Sequence, residues 1–217
     1  MQVPGVNYFD TFAPVAKLAS ICTILAIIAG DDLEMHQIDI KGAYLNGELT
    51  DCKIIFMQQP PGYHTVPNEK LVCCLQKTLY GLKQSGCCWY QKLVEIMMTH
   101  LKFSRSDVDQ AVFFCHNKGS VMIVLVHIDD CTITASSMSL INDFKLRISQ
   151  HVEITNLGKL HWLLGIEVNV TANIGPSTFP NNPTSTLSCV DMASKTSSLF
   201  LSLWTQIPIS QLLSPLQ

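Results

Sequence analysis

Apolar and polar positions change their period several times along the chain, and each change marks an element. Residues 18–29 are almost uniformly apolar and predict a buried helix stopped by Gly30. Residues 33–39 alternate as a strand does, placing Leu33, Met35, Gln37 and Asp39 on one face. A turn follows at Asn46-Gly47. Residues 53–57 and 71–75 predict two short strands, the first ended by the PPGY sequence at 60–63. Helical spacing returns over 86–102 through Trp89, Leu93, Ile96 and Met97. Residues 110–115 and 121–127 predict strands, Ile128-Asp129-Asp130 follows, and 131–134 predicts the partner strand. Residues 137–150 predict a helix with Met138, Ile141, Phe144, Leu146 and Ile148 as its apolar positions, and 161–168 a closing strand.

The patterning stops there. From Val170 to Gln217 only Asp191 and Lys195 are charged, Ser, Thr, Pro and Asn dominate, and no period is sustained. Residues 169–217 therefore read as a tail without a packed fold, and 1–168 as the ordered domain.

Composition narrows the function classes. The chain has 217 residues, 47% of them hydrophobic, enough to bury a sizeable core. Its net charge is -3 and its pI about 6.1, so it lacks the cationic excess of a free-standing nucleic-acid binder. Contact with nucleic acid must then be local or shared with other segments. Residues 1–17 lack the charged start and apolar run of a signal peptide, and the run from Leu18 to Gly30 is shorter than the ~20 residues of a membrane helix. The expectation is an intracellular chain, not secreted and without a membrane span, whose nine cysteines are free thiols.

Three carboxylates carry the candidate chemistry. Asp39 ends an apolar strand, and Asp129-Asp130 lies between two apolar strands, where a tight hairpin would present it. Carboxylates gathered at strand ends repel unless a divalent cation sits between them, and Mg²⁺ suits oxygen ligands and substrate phosphates alike. A solvated hairpin turn commonly carries an Asp pair too, and spacing alone favours that reading.

The motifs, taken together, narrow the choice. Residues 2–21 (QVPGVNYFDTFAPVAKLASI), 36–49 (HQIDIKGAYLNGEL), 56–63 (FMQQPPGY), 79–93 (LYGLKQSGCCWYQKL), 126–133 (VHIDDCTI) and 157–168 (LGKLHWLLGIEV) resemble, in order and spacing, the reverse-transcriptase domain of Ty1/copia-type retrotransposon polyproteins. The resemblance implies an α+β fold, a polymerase palm in which helices back an antiparallel sheet, with part of the fingers. It implies RNA-directed DNA polymerisation on an RNA or DNA template-primer with deoxynucleoside triphosphates, using two Mg²⁺ ions or Mn²⁺. Asp39, Asp129 and Asp130 would be the catalytic, metal-holding carboxylates. Tyr44 would stand where a bulky ring excludes a 2′-hydroxyl, and Gln84 where a glutamine positions template and incoming nucleotide. Without the resemblance Tyr44 reads as a core aromatic and Gln84 as a polar residue at a helix start. Trp89 and Tyr90 read as packing residues.

Departures from the family pattern point to a degraded, inactive fragment. His127 replaces the usual Tyr of the Asp-Asp box and reads as a packed residue. Cys22, Cys74 and Cys87 stand where the family commonly has arginine, and one C-to-T change in a CGC or CGT codon makes that exchange. The thiol lacks the charge and the five donors of the guanidinium. The competing reading, zinc held by Cys73-Cys74 and Cys87-Cys88, suffers because adjacent pairs chelate less well than C-x₂-C. The basic fingers segment expected before Met1 is absent. Read in a shifted codon frame, residues from Asn173 onward permit the family's continuation; Leu203-Trp204-Thr205-Gln206, for example, can encode Met-Asp-Pro. A frameshift near Asn169 would explain the patternless tail. The rival readings are an active fragment completed by another chain, or a non-catalytic nucleic-acid-binding remnant.

Overall fold

Residues 2–5, 8–31, 33–49, 54–63, 71–117, 119–163 and 166–168 are described by the structure, a computed structural model. The expected tail at 169–217 lies outside them, as do Lys53 of the expected 53–57 strand and residues 164 and 165 of the expected 161–168 strand.

The first apolar run forms helix α1 (Leu18–Asp31), which continues one residue past Gly30. Ile21, Ile24, Leu25 and Ile28 recur at helical spacing and bury one stripe. Its N-terminus is tied down from far along the chain: the Asp109 carboxylate accepts from the Lys17 amide at 2.9 Å and the Ser20 hydroxyl at 2.6 Å. One orphan amide at the helix start, that of Lys17, is thus met by a tertiary partner. The same carboxylate accepts from the Ala111 amide at 3.0 Å.

The remaining elements, in chain order, are β1 (Glu34–Ile40), a 3₁₀ turn at Ala43–Asn46, β2 (Phe56–Gln58), β3 (Val72–Cys74) and α2 (Ser85–Val94). Helix α2 runs on as a wider π-type segment, Glu95–His100. Then come β4 (Ser104–Arg105), β5 (Val112–Asn117), β6 (Ser120–His127), β7 (Asp130–Ala135), α3 (Met138–Ile148), β8 (Ile154–Lys159), β9 (Trp162–Leu163) and β10 (Ile166–Glu167). Six strands form one sheet in the order β4-β5-β6-β7-β1-β8, every neighbouring pair antiparallel. The mixed α and β architecture with an antiparallel sheet agrees with the expectation. No helix among the described residues is long and apolar enough to cross a membrane.

Strand periodicity divides the side chains between two faces. Ile38, Ile40, Val124, Val126, Cys131 and Ile133 point to the face where Trp89, Leu93 and Met97 of the long helix and Ile141, Phe144 and Ile148 of α3 complete the main core. The opposite face is graded. At one end Met35, Ile123 and Leu125 join Ile24, Leu25 and Ile28 of α1 in a second core. At the other end stand Gln37, Asp39 and Asp130.

Three details differ from the sequence expectation. Leu146, read as an apolar position of α3, is 65% exposed, and Lys145 takes the buried place at 8%. The spacing Ile141, Phe144, Lys145, Ile148 is the true helical stripe, and apolarity alone misassigned one neighbour. Residues 161–168 do not make one strand: β9 and β10 pair antiparallel, Leu163 against Ile166. Strand β8 was not expected; as the sheet edge it buries too little to impose a clear alternation.

Candidate active site

β1 ends at Ile40, so Asp39 sits at the strand end, directly opposite Asp130, the first residue of β7. On the far side of β7, Asp130 pairs with His127 of β6. Asp39, Asp130 and His127 therefore form one row across three strands. The next rows inward are Gln37, Thr132 and Leu125, then Met35, Thr134 and Ile123. Polarity rises along this face until it ends in carboxylates.

Ile128 and Asp129 are the two central residues of the β6–β7 hairpin. Ile128 has φ 61°, a left-handed value that a β-branched residue rarely adopts. A positive φ at the first central residue suits the right-handed twist of a two-residue hairpin, and the conformation costs roughly 1–3 kcal/mol. Two hydrogen bonds hold the turn. The Trp89 indole donates to the Ile128 carbonyl at 2.8 Å, and the Ile40 amide donates to the Asp129 carbonyl at 2.8 Å. The Gln37 amide donates to the Asp130 carboxylate at 3.2 Å.

Electrostatics report the same gathering. The Asp39 carboxyl is raised above its usual range by burial and by the charges of Asp129 and Asp130, against the pull of Lys41. Burial and the three aspartate charges push the Cys131 thiol far up, which leaves it inert. Among the described residues, no group of three or more His, Cys, Asp or Glu side chains is arranged to hold a metal ion. Carboxylate oxygens are the donors a hard divalent cation takes, and the neighbouring charges that raise the Asp39 carboxyl are what such a cation would relieve.

Tyr44 follows in the 3₁₀ turn. Gly42 opens that turn with φ 56°, and the Asn46 amide donates to the Lys41 and Gly42 carbonyls. The Tyr44 ring lies 5.1 Å from the Tyr80 ring, and its carbonyl accepts from the Thr78 hydroxyl. Gln84 precedes α2 and is 2% exposed; Gln2 donates to its side-chain carbonyl at 2.8 Å. Asp39 and Asp130 thus come together in one row beside the Asp129 turn, whereas Gln84 is covered by the N-terminal segment. His127 is half-buried, and its Nδ1 is buried with no hydrogen-bond partner among the described residues. Cys73 and Cys74 lie on β3, while Cys87 and Cys88 are buried on α2.

Sequence reading missed Gln37, Tyr80 and the role of Trp89 at the turn. Gln37 was legible through its period-two relation to Asp39. The other two depend on contacts between distant segments and left no local signal.

Residues 1–187 match the family described as reverse transcriptase (RNA-dependent DNA polymerase). The chain is 36% identical over 166 residues to the retrovirus-related Pol polyprotein from transposon RE1 of Arabidopsis thaliana, covering 76% of this chain and 11% of that protein. It is 34% identical over 168 residues to the corresponding polyprotein from transposon TNT 1-94 of Nicotiana tabacum, covering 77% and 12%. Against the transposon Ty1-BR Gag-Pol polyprotein of Saccharomyces cerevisiae it is 27% identical over 156 residues, covering 69% and 8%. The chain thus spans about a tenth of the length of the curated relatives it matches. No solved structure matches it.

Proposed function

The chain belongs to the reverse-transcriptase (RNA-dependent DNA polymerase) family as a domain of copia/Ty1-type Pol polyproteins, and from that premise we propose that its antiparallel sheet is a polymerase palm whose aspartate row is the nucleotidyl-transfer site. The observation that supports this most is the register Asp39 opposite Asp130 beside the Asp129 turn. Asp39 and Asp129 would hold Mg²⁺, or Mn²⁺, with Asp130 as third carboxylate. When bound, such ions neutralise phosphate charge and stabilise the attacking and leaving oxygens. The chain's own residues do the placing. β1 and the β6–β7 hairpin present the carboxylates from strand ends, so their spacing is set by backbone pairing. Gln37 orients Asp130. Tyr44, buttressed by Tyr80, stands just past the end of the Asp39 strand, where a ring would meet the sugar of an incoming nucleotide. Gln84, at the start of α2, would be the glutamine that positions template and incoming nucleotide once its contact with Gln2 is released. The reaction served is extension of a primer on an RNA or DNA template by deoxynucleoside triphosphates, with other polyprotein segments as partners.

Catalysis is lost in this chain. Cys87 follows Gln84 by three residues in the second motif, and it supplies none of the charge or donors of the expected arginine. Cys22 and Cys74 carry the same exchange elsewhere. The family match runs to residue 187, past the expected frameshift near Asn169, and the coding DNA, translated in the shifted frame, tests that expectation by continuing the family match or failing to. For catalysis, the test is primer extension by the purified chain on a primed RNA template with Mg²⁺. No incorporation is expected; incorporation that vanishes in Asp129→Asn overturns the inactive reading and supports the site. For the site itself, titration calorimetry with Mn²⁺ should show binding that Asp39→Asn abolishes. A wild-type chain that binds no Mn²⁺ overturns it.

A further inference from the structure

We propose that Trp89 is the positioning residue that holds the Asp129 hairpin in the turn that presents its carboxylate; this rests on the reading of the aspartate row as the metal-holding site. Asp129 is flanked by two peptide groups. The carbonyl of the first, from Ile128, accepts the Trp89 indole N–H; the carbonyl of the second, its own, accepts the Ile40 amide, each at 2.8 Å. Fixing both peptide planes fixes φ and ψ of Asp129, and these set the direction of its Cα–Cβ bond.

One of these two anchors is a matter of strand pairing, which any antiparallel ladder continues. The other is not. Trp89 reaches the turn from α2, across 39 positions of sequence, with its ring 2% exposed in the main core. The turn it meets needs outside support, because Ile128 is held at φ 61°. A strained residue persists only where its surroundings over-determine it, and the indole bond is one such constraint.

Trp89 is itself placed against the segment that carries Asp39. Gly47, five residues past Lys41-Gly42, lies so close to α2 that a Cβ there would stand 2.9 Å from the Trp89 backbone nitrogen and 2.7 Å from Thr78 Oγ1. Gly47 has an ordinary φ of -66°, so the glycine is required by space and not by backbone conformation. The backbone of Trp89 thus rests on the chain leaving Asp39, and its side chain grips the turn carrying Asp129. One residue thus touches both carboxylate-bearing segments, whose spacing the β1–β7 ladder sets, and holds the turn between them. A buried Trp chosen only for bulk would serve equally well without its N–H.

Trp89→Phe separates these roles, since it keeps an aromatic ring and removes the donor. Amide hydrogen exchange on the full, metal-free chain reads the turn directly. Exchange at Ile40 and at 128–131 should rise about tenfold, the scale of one lost buried hydrogen bond, while α3 and β5 stay unchanged. Mn²⁺ affinity by titration calorimetry should fall by a similar factor. An unchanged Ile40 amide, or a uniform rise at every amide, overturns the proposal. Failure of the site reading looks different: wild-type chain that binds no Mn²⁺, or binding that survives Asp39→Asn. The exchange result then still decides the role of Trp89.

Discussion

At the scale of single residues, the most informative positions are those whose chemistry disagrees with their surroundings. Lys145 is buried on α3 with no carboxylate partner among the described residues; it donates to Asn156 at 2.7 Å and meets His36 Nδ1 at 2.9 Å. Burial lowers its pKa. His36 is lowered too, first by burial, then by the Lys145 charge, with Lys159 adding and Glu34 opposing. The sign for stability follows. Above its free value of about 6.5 His36 is neutral in both folded and unfolded chains. As pH falls below that, the unfolded chain takes the proton first, so stability drops. The urea midpoint should therefore be lower at about pH 5.5 than at about pH 7.5, and His36→Gln should flatten that difference. Gly47 is the second such position. With α2 backbone inside contact distance, Gly47→Ala should cost about 1–3 kcal/mol by overpacking, read as a lower denaturation midpoint, although alanine is ordinarily the better residue for rigidity.

Elements inherit their boundaries from neighbours as much as from their own sequence. Helix α1 has neither acidic residues in its first turn nor basic ones in its last, so its ends gain nothing from charges on its own dipole. Asp109, arriving from the loop before β5, supplies the missing acceptor at its N-terminus. Asp109→Ala should cost about 1–3 kcal/mol, with faster exchange at the start of α1 and little change in α3. Helix α2 shows the reverse case, where sequence sufficed: Trp89, Leu93, Ile96 and Met97 occupy the expected stripe, and the change to π-type winding after Val94 keeps Ile96 and Met97 inside. The hairpin of β6 and β7 combines both. Its strands are written in the apolar run Val121–Val126 of β6 and the alternation of β7, but its turn depends on Trp89 and Ile40.

For the whole molecule, the sheet divides stability from chemistry. One face is closed by α2 and α3; the other is covered by α1 at its apolar end and reaches the aspartate row at its polar end. Keeping three carboxylates at one end of the sheet works against folding, as the raised Asp39 carboxyl shows. Asp39→Asn should consequently be no less stable than the wild-type chain without metal. Adding Mn²⁺ should raise the thermal midpoint of the wild type by mass action and leave that of Asp39→Asn unmoved. A variant destabilised in the absence of metal would show that Asp39 serves the fold instead.

Periodicity and motif spacing by themselves located the helices expected over 18–29 and 86–102 and found at Leu18–Asp31 and over 85–100, the strand bearing Asp39, the hairpin bearing Asp129 and Asp130, and the family. These are local or additive signals: buried stripes recur every three to four residues, buried strands every two, and motifs are strings. Tertiary structure decided what depends on distant partners. It split the expected strand at 161–168 into the paired β9 and β10, added β8 at the edge, put Lys145 rather than Leu146 inside, and covered Gln84 with Gln2. It also set Trp89 against the turn. Each of these outcomes is fixed by a contact between segments far apart in sequence, and a residue's own neighbours along the chain carry no record of which group will meet it across the fold.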